Sequence, residues 1–403
     1  MLQYPQDRQC PFQPSGAYQP LGAEGSLHRV ELWNDETAWL VTGHATARAL
    51  LSDPRVSADR TRPDFPVVLP RFEAEIFKPL ALIGIDPPRH KAHRELLAAH
   101  FGLKQARAQR DEITALAHSL IDAIEAKGAP ADLLADYALP IPSAVISRLL
   151  GVPYEDHAFF ESASAALLQA TSAAGAEEAG RTLFDYLDRL VTAERAEPTH
   201  RGLITVLAGA IGDGPDADVT HEDAVRIALT LLLGGHDTTA QMITLGVVTL
   251  LAHPEALAAI RADRDLLPAA VDELLRMVSV TDLSGVRVAD ADIEIDGAAI
   301  RAGEGLIFSS SMANRDPAVW PEPYELDFLR ERKDPKASGR RHLTFGYGIH
   351  QCLGQNLARL ELEIAFDVLF TRLPDLALET PSDALPYRSG GTMQGVHALP
   401  VVW

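Results

Sequence analysis

Apolar and polar side chains alternate on both sides of Asn34-Asp35 in LHRVELWNDETAWLV, residues 27–41, and this pattern predicts an antiparallel hairpin. A second β-rich stretch, VRVADADIEIDGAAIRAGEGLIFSS, carries its turn signal at Asp296-Gly297. Between and after these, the apolar positions recur at helical spacing over 89–127, 155–195, 220–252, 254–279 and 353–373. Thr220 with Asp223 three residues on reads as a capping box, and His253-Pro254 closes the run that follows it. The pattern predicts a mainly helical fold with small sheets at its edge. No repeat and no Gly/Ser- or Pro-rich linker interrupts it, so one domain over 1–403 is the simplest organisation.

Composition narrows the partners. The 403 residues are 47% hydrophobic and 23% charged, as in an ordinary globular chain, and the formal charge of -20 argues against nucleic acid and anionic membrane surfaces. Two cysteines, Cys10 and Cys352, are too few for a disulfide framework or a Cys-rich zinc site, although a single bridge between them stays possible. The start MLQYPQDRQCPFQPSG lacks the basic and apolar regions of a signal peptide, and the most apolar run, 224–252, is broken by HDTTAQ. A soluble protein of a reducing, cytoplasmic compartment is expected.

The candidate chemistry begins at FGYGIHQCLG, residues 345–354. Gly346, Gly348 and Gly354 permit positive φ and close backbone approach. Leu353, Leu357, Leu360, Ile364 and Val368 then share one helical face, which sets Cys352 at a helix N-terminus. There the dipole and free N–H groups should lower the thiol pKa, as a metal ligand or nucleophile needs; a buried structural thiol is the alternative. Within the run 220–252 lies LLLGGHDTTAQ. Adjacent glycines mid-helix cost about 1 kcal/mol each relative to alanine, which suggests that something flat or bulky passes close to Gly234 and Gly235. Asp237, Thr238 and Thr239 follow, and a mid-helix threonine can bond the carbonyl four residues back and bend the helix; a kinked core helix with a polar patch is the alternative. In IDPPRHKAHRELL, His90 and Arg94 stand at i,i+4 on one face, suited to holding a carboxylate, with His93 as a rival. Glu273 and Arg276 in DELLR are i,i+3 neighbours, and Arg287 lies in a following β segment.

In order, HxxxR, small-Gly-x-acid-Thr, ExxR and FxxGxHxCxG resemble the cytochrome P-450 family, from about residue 10 to the C-terminus. ANRDPAVWPEP and FGYGIHQCLGQNLAR are similar to its soluble actinobacterial members. The resemblance implies the P-450 fold, with heme b between the long central helix and the cysteine loop. It implies that Cys352 ligates the iron and Phe345 packs near the sulfur. His90, Arg94, Arg287 and His350 would hold the propionates, and Glu273 with Arg276 would form a buried pair with the meander. Gly234 and Gly235 would make room over the heme, with Asp237 and Thr238 relaying protons towards dioxygen. The implied enzyme is a monooxygenase of secondary metabolism that hydroxylates or epoxidises a medium-sized apolar natural product or xenobiotic. It would use O2 and electrons from a ferredoxin with a separate reductase, since no FAD or nicotinamide fingerprint is present. The alternatives are a peroxygenase, a non-catalytic heme sensor and a heme-free scaffold. The substrate pocket would be lined by 57–85, 165–190, the residues before Gly234, 278–286 and the turn near Met393. Two departures stand out: Leu326 replaces the usual meander phenylalanine, and 330–342 is long. That insert holds Arg330, Arg332, Lys333, Lys336, Arg340 and Arg341 against Glu331 and Asp334, so it is either a ferredoxin-docking surface or a solvated loop.

Overall fold

Strands Leu27–Glu31 and Thr37–Val41 form the predicted hairpin, with Leu27 opposite Val41 and Glu31 opposite Thr37. Asp35 occupies its turn at φ 63°, a left-handed conformation that aspartate tolerates better than most residues. The structure is a computed structural model that describes all residues except Gln9, Pro11, 74–79, 200–201, 215–216 and 331–340. In it the hairpin joins a sheet in the order Leu2–Gln3, Leu27–Glu31, Thr37–Val41, Gly305–Ser309, Leu283–Ala289, Val56–Ser57. The second β-rich stretch thus supplies two strands of this sheet, and between them the separate hairpin of Ile293–Ile295 with Ala298–Ile300. Its Asp296-Gly297 turn has φ values of 49° and 77°, as a two-residue turn matched to strand twist requires. A third small sheet pairs Ala377–Leu378, Pro400–Val402 and Ala131–Asp132.

The helices are more numerous and shorter than periodicity suggests. The run 89–127 divides into Arg89–Ala98, Leu103–Ala108 and Arg110–Lys127, and 155–195 into His157–Leu168 and Ala173–Ala196. The run 254–279 divides into Pro254–Ala262 and Leu267–Val278. Three of the four breaks carry a local signal that helical spacing cannot see: Gly102 precedes one helix, Ser172 accepts from Gly175 N, and Asp263 accepts from Asp265 N. Helices His44–Leu51, Pro140–Leu150 and Gly202–Ala210 lie outside the predicted runs, as do the short helices Leu21–Glu24 and Ser310–Ala313. The Thr220/Asp223 capping box forms with both reciprocal bonds. Among the described residues no single helix is long and apolar enough to cross a membrane.

Helices Arg110–Lys127, Asp237–Ala252, Leu267–Val278 and Gln355–Arg372 share the main core through Ile121, Leu245, Val271, Leu360 and Leu369. The face Leu357, Leu360, Ile364 and Val368 is buried as predicted, with Leu353 only half-buried at its start. Leu362, Phe366 and Phe370 are buried as well, so the helix that follows Cys352 is enclosed on most sides. A Cβ at Gly246 would lie 2.5 Å from Phe366 Cζ, so this glycine allows the central helix to approach the cysteine helix.

One buried charge cluster ties the helix Leu267–Val278 to the segment before the cysteine loop. Arg276 donates to both Glu273 oxygens at 2.8 Å and to the carbonyls of Asn314, Pro323 and Glu325 at 2.9, 2.8 and 3.1 Å. Arg330 Nε donates to Glu273 at 3.0 Å, and the amide of Asp327 donates to the same oxygen at 2.9 Å. Arg330 is therefore a buried brace, not part of a solvated basic insert; residues 331–340 of that insert lie outside the described residues. Leu326 is partly buried against the core in the same segment. Burial opposes the Glu273 carboxylate, but Arg276, the Asp327 amide and Arg330 outweigh it and hold the pKa below its ordinary value. Removing one partner of such a cluster costs about 3–5 kcal/mol. Glu273→Ala should lower the unfolding free energy by about that amount, measured by urea denaturation.

Candidate active site

The cysteine loop is shaped by two glycines at positive φ, Gly346 at 69° and Gly348 at 75°. At Gly348 a Cβ would stand 2.6 Å from the Leu51 carbonyl oxygen, so no side chain fits there. Gly354 differs from expectation: its φ is -77°, and what its position provides is proximity, with a Cβ site 3.9 Å from Cys352 Sγ. The Cys352 amide donates to the Phe345 carbonyl at 2.8 Å and closes the loop. The amides of Gly354 and Gln355 then point at the sulfur, at the start of helix Gln355–Arg372. Cys10 and Cys352 are both free thiols.

Protein crowds the Cys352 sulfur, while the residue as a whole keeps exposed surface. Burial pushes the Cys352 thiol above its ordinary value; the Gly354 and Gln355 amides, Arg94 and Arg359 act in the opposite direction without prevailing. This corrects the expectation that the helix N-terminus would lower the pKa. Two amides and two arginines offset only part of the desolvation of an anion. Keeping the sulfur anionic requires a positive charge bonded directly to it, as a metal ion provides.

Four groups from three segments gather at this loop: His90 and Arg94 from helix Arg89–Ala98, Arg287 from strand Leu283–Ala289, and His350 from the loop itself. The His90 and His350 rings lie 4.0 Å apart, and His350 Nδ1 is 3.0 Å from the Leu82 carbonyl. Arg94 Nη1 donates to the Gln351 carbonyl at 2.6 Å, and Arg287 Nη1 donates to the Val286 carbonyl at 2.7 Å. Burial together with the neighbouring arginines holds His350 at about 3 and His90 at about 4, so both imidazoles are neutral at pH 7. Burial lowers Arg287 to about 10, still cationic. Asp86 is its nearest carboxylate, and that group is occupied by the Ser57 hydroxyl and the Ala58 amide. Among the described residues neither Arg94 nor Arg287 has an ion-paired carboxylate, and His90 Nε2 is buried without a partner. One buried and one half-buried guanidinium so placed call for an anion between them, and the propionates of heme match that demand. His93 is excluded from this group: it is buried beside Asp223, with Nε2 3.9 Å from that carboxylate.

The predicted long helix breaks at His236, φ -114° and ψ -58°, into His221–Gly235 and Asp237–Ala252. Thr238 Oγ1 donates to the Gly234 carbonyl at 2.8 Å, the back-bond expected of a mid-helix threonine. Gly234 faces open space, but Gly235 does not: a Cβ there would lie 2.7 Å from Ile146 Cδ1, so helix packing explains this glycine. Asp237 is held in a bidentate pair by Arg388, at 2.7 and 2.9 Å, with both side chains about nine-tenths buried. Arg388 lies 151 residues away in RSGG, where no local signal marks it. One helical turn on, Gln241 Oε1 accepts from the Val396 amide at 2.8 Å, so the turn 388–396 is fastened to the central helix at two points.

Behind the loop, Arg359 Nε donates to Asp272 at 2.7 Å, and its guanidinium lies 4.6 Å from the centre of the Phe345 ring. His342 Nε2 is 3.7 Å from the same carboxylate, and burial lowers the pKa of its imidazole. Burial opposes the Asp272 carboxylate, but the imidazole and guanidinium around it hold its pKa at about 2.

Comparison with known proteins agrees with this geometry. A family model described as Cytochrome P450 matches residues 158–374. The chain is 49% identical to a pentalenic acid synthase of Streptomyces avermitilis, covering 99% of this chain and 97% of that one. It is 47% identical to a vitamin D3 dihydroxylase of Streptomyces griseolus, covering 99% and 96%. Its structure superimposes on the mycinamicin VIII C21 methyl hydroxylase MycCI of Micromonospora griseorubida with a TM-score of 0.91, at 37% identity and with 100% of both chains covered.

Two measurements check the site. Arg287→Ala should release heme about tenfold faster than the unaltered protein, since one charge-assisted pairing is lost, read as Soret decay on mixing with a heme scavenger. Asp272, at about 2 when folded against about 3.9 when unfolded, adds stability above pH 4 that disappears as pH falls from 4 to 2. Asp272→Asn should flatten that part of the acid-stability curve.

Proposed function

The chain belongs to the cytochrome P450 family, and we propose that its heme iron is held by Cys352 and its propionates by His90, Arg94, Arg287 and His350. The protein is a P450 monooxygenase with heme b as cofactor, using O2 on a small-molecule substrate. The observation that carries the residue assignment is the closed glycine loop, with two amides aimed at Cys352 Sγ and a cationic cradle beside it. Heme bound through a thiolate supplies dioxygen activation, the thiolate favouring O–O cleavage.

The remaining chemistry falls to the protein. Thr238 donates its hydroxyl hydrogen bond to the Gly234 carbonyl, which leaves the oxygen lone pairs to accept from another donor. Asp237, next to it in the chain, is the second group of the proton relay. Both of its oxygens are held by Arg388, so it accepts a proton when one of those two contacts opens. The substrate class is a medium-sized apolar natural product or xenobiotic, consistent with relatives named for pentalenic acid, vitamin D3 and mycinamicin VIII. Residues 1–403 act as one catalytic unit in the cytoplasm, a setting that suits two free thiols.

Electrons come from a ferredoxin served by a separate reductase. The docking face we assign is the basic, aromatic hollow beside the cysteine loop, about 520 Å³ in volume, lined by His44, Arg48, Arg341 and Tyr347. Arg48 stacks on Tyr347, a residue of the loop itself, and donates to its hydroxyl at 2.8 Å. In a chain of net charge -20, a local basic face steers an acidic partner.

Thr238→Ala should leave heme content and substrate affinity unchanged while product formed per electron consumed falls about tenfold or more. Unaltered coupling would remove Thr238 from the proton path. Arg48→Glu with Arg341→Glu should slow ferredoxin-driven turnover about tenfold at low salt and leave peroxide-driven turnover intact. Equal loss in both assays would reject the docking face.

A further inference from the structure

Among the described residues the non-glycine positions at positive φ are Asp35, Leu82, Ser279, Asp296 and Glu322. Asp35 and Asp296 sit in hairpin turns and Ser279 ends a helix, settings in which a left-handed residue closes regular structure. Glu322 offers its carbonyl to the buried Arg330 at 2.6 Å. Leu82 is the one bulky apolar residue of the set, at φ 70°. The Ile83 amide donates to the Ala81 carbonyl at 2.9 Å, so Leu82 is the centre of a γ-turn of the strained hand. That turn is the tip of a tight loop, closed by the Gly84 amide on the Leu80 carbonyl at 2.9 Å.

Backbone strain of this kind persists where the surroundings hold it, and two contacts do so here. The Leu82 side chain is buried in the apolar cluster that includes Leu231 of helix His221–Gly235 and Leu97 of the helix that carries His90 and Arg94. Its carbonyl takes His350 Nδ1 at 3.0 Å. A glycine would suit the backbone but leave the core unfilled. A carbonyl can only accept, so Nδ1 is the ring nitrogen that carries the proton, and Nε2 is left for a ligand. An arginine beside it has five donors to distribute, whereas an imidazole has two sites in one plane. The direction in which His350 presents Nε2 therefore depends on the partner of Nδ1, which is Leu82.

We infer that Leu82 is a positioning residue for heme: its γ-turn aims the carbonyl that fixes the plane and tautomer of His350, and so the atom that His350 offers to a propionate. This rests on the propionate reading of His350 and deepens it, because it gives the strained backbone at Leu82 a function in the site.

The test uses the heme-loaded full chain and two readouts: heme release to a scavenger, read as Soret decay, and the propionate bending bands of the resonance Raman spectrum. Ile83 is 52% exposed, so Ile83→Pro removes the amide that closes the γ-turn and drives Leu82 to extended backbone without emptying the core. Leu82→Ile reaches the same end by a second route, since a β-branched residue resists positive φ while keeping the core volume. Each should release heme about threefold or more faster and shift the propionate bands. Ile83→Ala, which keeps the amide, should do neither. In a His350→Phe background, itself faster in release, neither Ile83→Pro nor Leu82→Ile should add to the effect. Equal factors in both backgrounds, or unshifted bands, mean general loosening and overturn the positioning role. His350→Phe with neither faster release nor shifted bands would instead overturn the propionate assignment of His350, and the inference with it.

Discussion

A sulfur that has to be negative is placed where the protein alone makes it neutral, and much of the architecture follows from that conflict. Burial raises the Cys352 thiol pKa against the pull of two amides and two arginines. The balance favours the anion only when a cation is bonded to the sulfur, so metal binding and loop geometry are coupled. The loop therefore has to be rigid before the cation arrives. Gly348 fits against the Leu51 carbonyl where no side chain could, and the Phe345 carbonyl takes up the Cys352 amide. Arg359 links the Phe345 ring to Asp272. Glu273 fixes Arg276 and Arg330 one residue further along the same helix.

The distribution of charge separates support from function. In the supporting cluster, Glu273 and Asp272 have their arginines within 3.0 Å. On the ligand side, among the described residues, Arg94 and Arg287 have no ion-paired carboxylate and converge with two neutral histidines beside the sulfur. A folded chain tolerates such groups where a ligand supplies the missing anion. Asp237 is the intermediate case. It is an acid needed for proton traffic whose pairing with Arg388 must loosen for it to act.

How much of this was legible depended on the distance over which each signal operates. The hairpin about Asn34-Asp35, the Asp296-Gly297 turn, the Thr220 capping box and the glycines at 346 and 348 are local devices, and the chain shows them openly. Helix boundaries within 89–127 and 155–195 escaped because apolar spacing continues through caps as small as Gly102 and Ser172. Pro140–Leu150 did carry a readable signature, proline at its start and Gly151 in the left-handed region after it. Partnerships across the chain were invisible. Arg330 looked like one more cation of a basic insert until Glu273 was seen beside it, and nothing in RSGG points to Asp237. Gly235 was attributed to a ligand when its neighbour is Ile146, and the thiol pKa was misjudged because a helix terminus can be read from sequence whereas burial cannot.

The most direct test of the central claim is the spectrum of the reduced carbon monoxide complex of the purified, heme-loaded protein, compared with that of Cys352→Ser. A thiolate-type band in the unaltered protein that vanishes in the variant is the predicted result. Heme bound with no thiolate-type band, or a band that persists without the sulfur of residue 352, would contradict the account.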